Sequence, residues 1–190
     1  AAIGTVCVLD DMPRHLTDAQ RAALQSLARL TMTLLDARAR ERAREHEAFV
    51  ATAVAAPAST ALAATPDATH YTLALFELQD LAGAVARLGE RATEKLLQDL
   101  DAALEQALPA DGVDAVSRSS GSGEYVAVLH GSDAARTLER LQARIADLAA
   151  DLSLRFLVGT TQGAAGEHTG AVFLRAEADL LDRKAAQIPR

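Results

Sequence analysis

The stretch SRSSGSGEYVAVLHG, Ser117 to Gly131, decides how the chain is read. Small residues and the glycines Gly121 and Gly123 separate two extended segments, so a tight β-hairpin is predicted, because such turns need backbone angles that glycine adopts freely. A lone carboxylate, Glu124, follows the tip and stands beside Tyr125. The tip could cradle phosphate, and the acid placed against it sets the functional question.

Outward from the hairpin the periodicity changes. SDAARTLERLQARIADLAADL predicts a helix capped by Ser132 or Asp133, SLRFLVGTTQG a strand, and TGAVFLRAEADLLDRKAAQ a closing helix. On the other side, period-two alternation from Tyr71 to Gln79 gives way to helical spacing through Leu96, Leu97, Leu100, Leu104 and Leu108. The order from Tyr71 is therefore βαββαβα. It predicts an α+β palm, a central sheet containing antiparallel strands, with helices packed on one face.

Towards the N-terminus, Thr17 and Gln20 stand at capping-box spacing before Leu24, Leu27, Thr31, Leu34 and Leu35, which predicts a long helix. Beyond Asp36 the apolar stripe fades into alternating Arg and Glu, so the helix is expected either to pair with a second copy as a dimeric stalk or to run on as a solvated end. From Ala51 to Thr69 the chain is Ala, Thr, Ser and Pro with almost no charge. Pro57 and Pro66 are expected to break it into a linker with at most one short helix. AIGTVCVLD at the start predicts a strand, with Cys7 packed in a core. The chain begins without Met, so an upstream portion is expected.

Composition narrows the classes of function. Hydrophobic residues make up 49% of the 190 residues while aromatics make up 3%, which favours Ala- and Leu-packed helices over large aromatic anchors. Acids outnumber bases by 26 to 19, for a formal charge of −7, and this opposes a nucleic-acid footprint. The single cysteine cannot form an internal disulfide, and no apolar run approaches the ~20 residues that a membrane helix needs. A cytoplasmic protein is expected. The histidines His15, His46, His70, His130 and His168 show no metal-ligand spacing, and no Ser or Cys nucleophile context is present.

From Tyr71 to Arg190 the sequence resembles the GGDEF domain of bacterial diguanylate cyclases. GSGEY, Gly121 to Tyr125, falls where the name-giving motif belongs, FLVGTT resembles the later S-I-G-V-A strand, and RAEADLLDRKA resembles the closing A-D-x-A-L-Y-x-A-K helix. IGTVCVLDDMPRHLTDAQRAALQSLARL resembles the last strand and helix of a GAF sensor domain. The organisation this implies is a GAF-like end over residues 1–35, a helical stalk and linker over 36–69, and a GGDEF-like domain over 70–190.

The resemblance implies a palm that joins two GTP molecules into cyclic di-GMP with Mg²⁺ held by two carboxylates, and several motif positions depart from that pattern. Glu77 stands where the first-strand metal ligand belongs. Gly123 stands where the motif's own acid belongs, and glycine offers a metal nothing. Ser122 replaces the motif's second glycine, and Glu124 is expected on the opposite sheet face from position 123. Val85 replaces the guanine-contacting Asn, while Glu94 replaces the guanine-contacting Asp and could still accept a hydrogen bond. Lys184 matches the phosphate-facing Lys, with Arg183 beside it. Asp111 to Asp114 replaces the product-inhibition motif, with an acid where its phosphate-binding Arg belongs.

These departures predict a degenerate, non-catalytic signalling module, with no catalytic residue assigned and no cofactor beyond Mg²⁺ should nucleotide binding persist. Its expected partners are a second copy through the N-terminal helix and an unidentified protein. A receptor for GTP or cyclic di-GMP is the alternative, resting on Glu94, Arg183 and Lys184, and a weak cyclase using Glu124 is the last.

Overall fold

The structure is a computed structural model that describes residues 15–59, 70–110, 112–119, 121–151 and 154–187. The strand expected over the first residues, Cys7, the linker over 60–69 and Asp111 lie outside the described residues. Two compact units are present, Ala1–Arg44 and Glu45–Arg190.

The first helix, α1 (Asp18–Ser59), opens on the capping box that the sequence predicts. The Thr17 backbone N–H donates to Gln20 Oε1 at 2.9 Å, and the Gln20 N–H donates back to Thr17 Oγ1 at 3.3 Å. The break expected at Pro57 is not seen, since α1 continues two residues past it. Val50 and Ala53, both buried, anchor this end of the helix, so packing outweighs the local proline signal. Within the first unit, Leu27, Leu30, Leu34 and Leu35 are exposed on α1.

The second unit is the palm. Its elements are β1 (His70–Gln79), α2 (Leu81–Leu88), α3 (Glu90–Ala107), β2 (Ala115–Arg118), β3 (Glu124–His130), α4 (Ala134–Asp151), β4 (Arg155–Ala164) and α5 (Thr169–Ala186). The strands form one sheet in the order β2-β3-β1-β4, and every neighbouring pair is antiparallel. Gly89, at φ 85°, separates α2 from α3, a left-handed turn that glycine adopts without a Cβ clash.

The sheet is covered on both faces, which corrects the one-face expectation. On one face Ala74, Phe76 and Leu78 of β1 meet Leu97, Leu100 and Leu104 of α3 and Leu141 and Ile145 of α4. On the other, Tyr71, Leu73 and Leu75 meet Val172 and Ala176 of α5 and Val50 and Ala53 of α1. The alternation in β1 thus sorts residues between two cores, not between core and water. Full burial of each large apolar side chain contributes roughly 1.5–3 kcal/mol, so both layers stabilise the palm. Among the described residues, no helix is long and apolar enough to cross a membrane.

Candidate functional site

The GSGEY segment is the turn between β2 and β3. Gly121 takes φ 65°, the left-handed value that its place at the tip requires. Ser119 N–H donates to the Glu124 carbonyl at 2.9 Å, Ser122 Oγ donates to the Ser119 carbonyl at 3.1 Å, and Glu124 N–H donates to Ser122 Oγ at 3.1 Å. Ser122, in the place of a motif glycine, therefore uses its hydroxyl to close the turn.

Gly123 is glycine for a different reason. Its carbonyl accepts a 2.9 Å bond from Leu78 N–H at the end of β1. A Cβ built on it would lie 3.0 Å from Leu78 Cβ and 3.4 Å from Leu81 Cδ2. A side chain at this position would press on Leu78, which would have to give by a few tenths of an ångström, and would touch Leu81.

Glu77 and Glu124 are cross-strand partners, so their side chains leave the same sheet face, the one covered by α5. Two carboxylates placed opposite one another repel, and a cation from α5 relieves them: Lys184 Nζ donates to Glu77 Oε1 at 2.6 Å. Three residues singled out in the sequence, Glu77, Glu124 and Lys184, are thus brought to one corner of the palm. The Lys184 ammonium thus takes one of the two Glu77 carboxylate oxygens. Among the described residues, no three His, Cys, Asp or Glu side chains converge as a metal site.

Glu94 and Arg183 lie elsewhere. Arg183 Nε donates to Asp179 Oδ2 at 3.0 Å, and the same oxygen accepts the Thr160 backbone N–H at 2.8 Å, which ties α5 to β4. Glu94, on α3, accepts Arg118 Nη2 at 3.0 Å, and Arg118 Nε also reaches Asp101 Oδ1 at 3.0 Å and Oδ2 at 3.1 Å. The Arg118 guanidinium holds the Glu94 carboxyl below its ordinary value, first by hydrogen bonding and then by charge. Burial pulls the Arg118 pKa down, and the hydrogen bonds to Asp101 and Glu94 outweigh it, so the net shift is upward.

Sequence reasoning passed over Arg118. The available signal was a lone arginine leading into the glycine tip, with acids at 94 and 101 two turns apart on one helix. His46 was likewise assigned no role. It is buried, hydrogen-bonded through Nε2 to Ser119 Oγ at the entrance of the hairpin, and its ring stands 5.3 Å from that of Phe173.

A four-stranded antiparallel palm with a glycine-tipped β2–β3 turn meeting the end of its central strand has the GGDEF fold. Among solved structures with this fold, the chain is similar to the diguanylate cyclase SiaD of Pseudomonas aeruginosa, solved in complex with its activator SiaC. The TM-score is 0.59 at 20% identity, over 89% of this chain and 68% of that one. The coiled coil and GGDEF domain of DgcB from Caulobacter crescentus, in complex with c-di-GMP, aligns with a TM-score of 0.57 at 13% identity, over 90% of this chain and 96% of that one. A microbial GGDEF domain in a novel interaction mode with cyclic di-GMP aligns at 0.58 and 21% identity, over 72% and 84%. No family model and no curated protein matches the sequence.

Proposed function

We propose that this chain is a GGDEF-like regulatory module that does not cyclise GTP and works by self-association or by binding another protein. The observation that carries the reading is Gly123, which stands in the slot of the motif's acid with Leu78 packed 3.0 Å from where a side chain would begin. Attack of one GTP's ribose 3′-hydroxyl on the α-phosphate of another, with pyrophosphate leaving, would need a divalent cation to screen the charge and converging carboxylates to hold it. Here position 123 carries no carboxylate, and Glu77, with Glu124 across from it, is bonded to Lys184. Val85, in the position of the base-contacting Asn, offers no hydrogen bond to a guanine edge.

The relay suggested by this reading runs through α1. His46, Val50 and Ala53 fix its C-terminal end to the palm, so a change in how two copies of the helix pair is felt at Ser119, the entrance to the glycine turn. SiaD, solved with a protein activator, is a precedent for a GGDEF-fold protein addressed by another protein.

The test is incubation of the purified chain with GTP and Mg²⁺, followed by chromatography of the nucleotides. No cyclic di-GMP is the expected result, and sustained turnover would overturn the assignment.

A further inference from the structure

The helix α5 is apolar on two sides, and the sheet takes only one of them. Inward, Val172 and Ala176 are buried, with Phe173 and Leu180 packed beside them. Outward, Ala171, Leu174, Ala178, Leu181 and Ala185 recur at intervals of three and four residues, and all five are exposed. Leu174, at 64%, is the most exposed large apolar side chain among the described residues, and Leu181 is 56% exposed. Alternating three- and four-residue intervals are the spacing of a coiled-coil seam, so this side of α5 suits one more helix.

The charges beside the stripe say which helix. Arg175 and Asp182 flank it on one side, Glu177 and Lys184 on the other, and all four are exposed. Along the chain the first side therefore runs from cation to anion and the second from anion to cation. Laid antiparallel on a second copy of itself, with Ala178 opposite Leu181 and Leu174 opposite Ala185, α5 sets Arg175 against Asp182 of the other copy and Glu177 against its Lys184. Two-fold symmetry repeats both pairs. Sliding the helices by seven residues instead sets Glu177 against Glu177 and Arg175 against Arg175, and a parallel pair sets Glu177 against Asp182 twice. Like charges thus disfavour the other arrangements, and opposite charges favour this one. Arg175 and Lys184 already bond to Glu167 and Glu77, yet their side chains are 46% and 45% exposed, and each retains donors for a second acid.

The geometry points to the outer side of α5 as an interface on which α5 of a second copy of this chain lies antiparallel. Each leucine then faces an alanine, a large residue against a small one, which lets the two helices approach closely. A stripe of this size is far short of the roughly 20–30 residues a side of a standard interface, so the contact forms between copies already brought together. The inference rests on the self-association proposed above and says which surfaces of the two palms meet within it.

The test is disulfide trapping in the full chain, with Cys7→Ser in the background and sedimentation equilibrium run beside it. Chains carrying Leu174→Cys are mixed with chains carrying Ala185→Cys and oxidised. A crosslinked dimer is expected in the mixture and not in either chain alone. In the antiparallel pair the two 174 positions lie about 16 Å apart along the seam at a helical rise of ~1.5 Å per residue, beyond the ~7 Å between Cα atoms that a disulfide spans. Glu177→Lys in both chains is expected to lower the yield of the mixed dimer about threefold, since two weak exposed pairs become repulsive. Crosslinking of each chain with itself, or a yield unchanged by Glu177→Lys, overturns the proposal. An associated chain that gives no mixed crosslink overturns it alone. A monomer at every concentration, also without a crosslink, overturns it together with the self-association beneath it.

Discussion

Three glycines that read alike in the sequence do two kinds of physical work. Gly121 supplies a backbone angle, whereas Gly123 and Gly159 supply room. At Gly159 a Cβ would stand 2.4 Å from the Ala176 carbonyl oxygen and 2.6 Å from Leu180 Cβ, so α5 lies directly on the β4 backbone. Gly159→Ala is therefore expected to destabilise the palm by about 2 kcal/mol, read as a lowered urea midpoint at unchanged slope. Which residues were legible follows from the range of their interactions. The Thr17–Gln20 cap is local and stood in the sequence, as did the glycine turn. Arg118 was not, because Glu94 and Asp101 lie 24 and 17 residues away, and only the packing of α3 beside β2 brings them together. The glycine at 123 stood in the sequence, while the close approach of Leu78 and Leu81 to it did not.

At the scale of elements, local pattern located every strand of the palm but not what each strand faces. β1 alternates in the sequence as a half-exposed strand would, yet α5 covers the face that was assigned to solvent, and only tertiary contact reveals this. The break at Gly89 and the run of α1 through Pro57 were missed likewise, the first for want of a periodicity change, the second because burial of Val50 and Ala53 overrides a proline. The exposed leucines of α1 remain to be accounted for, with Leu27 50% and Leu34 62% exposed on a helix of 42 residues. Apolar side chains repeated on one helix favour association with a second helix. Sedimentation equilibrium is expected to show a concentration-dependent dimer, and Leu27→Glu with Leu34→Glu to shift it to monomer; a dimer unaffected by both changes would place the contact elsewhere.

Across the whole molecule, ion pairs stitch elements distant in sequence, Lys184 to Glu77 and Arg118 to Glu94 and Asp101, while Arg175 pairs with Glu167 in the turn just before its own helix. Glu94 and Glu167 both have carboxyls held below the ordinary value of 4.5, each chiefly by its arginine. A carboxyl lowered in the folded state contributes stability that is complete above its unfolded value and is lost as pH falls through the folded one. Thermal midpoints are thus expected to hold steady above about pH 5 and to decline below about pH 4.5. Glu167→Gln should differ from the parent above that window and converge with it below; a constant gap across the range would show that the pair contributes nothing through its charge. The overall architecture was readable because the order of elements and the turn chemistry agree with one another, even where individual motif positions diverge.

The central position of β1 governs how the palm comes apart. β1 is bonded to β3 on one edge and to β4 on the other, whereas β2 is a four-residue strand at the margin, bonded only to β3. Transient openings can therefore peel β2 away, releasing Arg118 from its acids, long before they reach Leu73 or Ala74. In heavy water, deuterium should enter the amides of Ala115–Arg118 first and those at the middle of β1 last, and slower uptake in β2 than in β1 would refute that order.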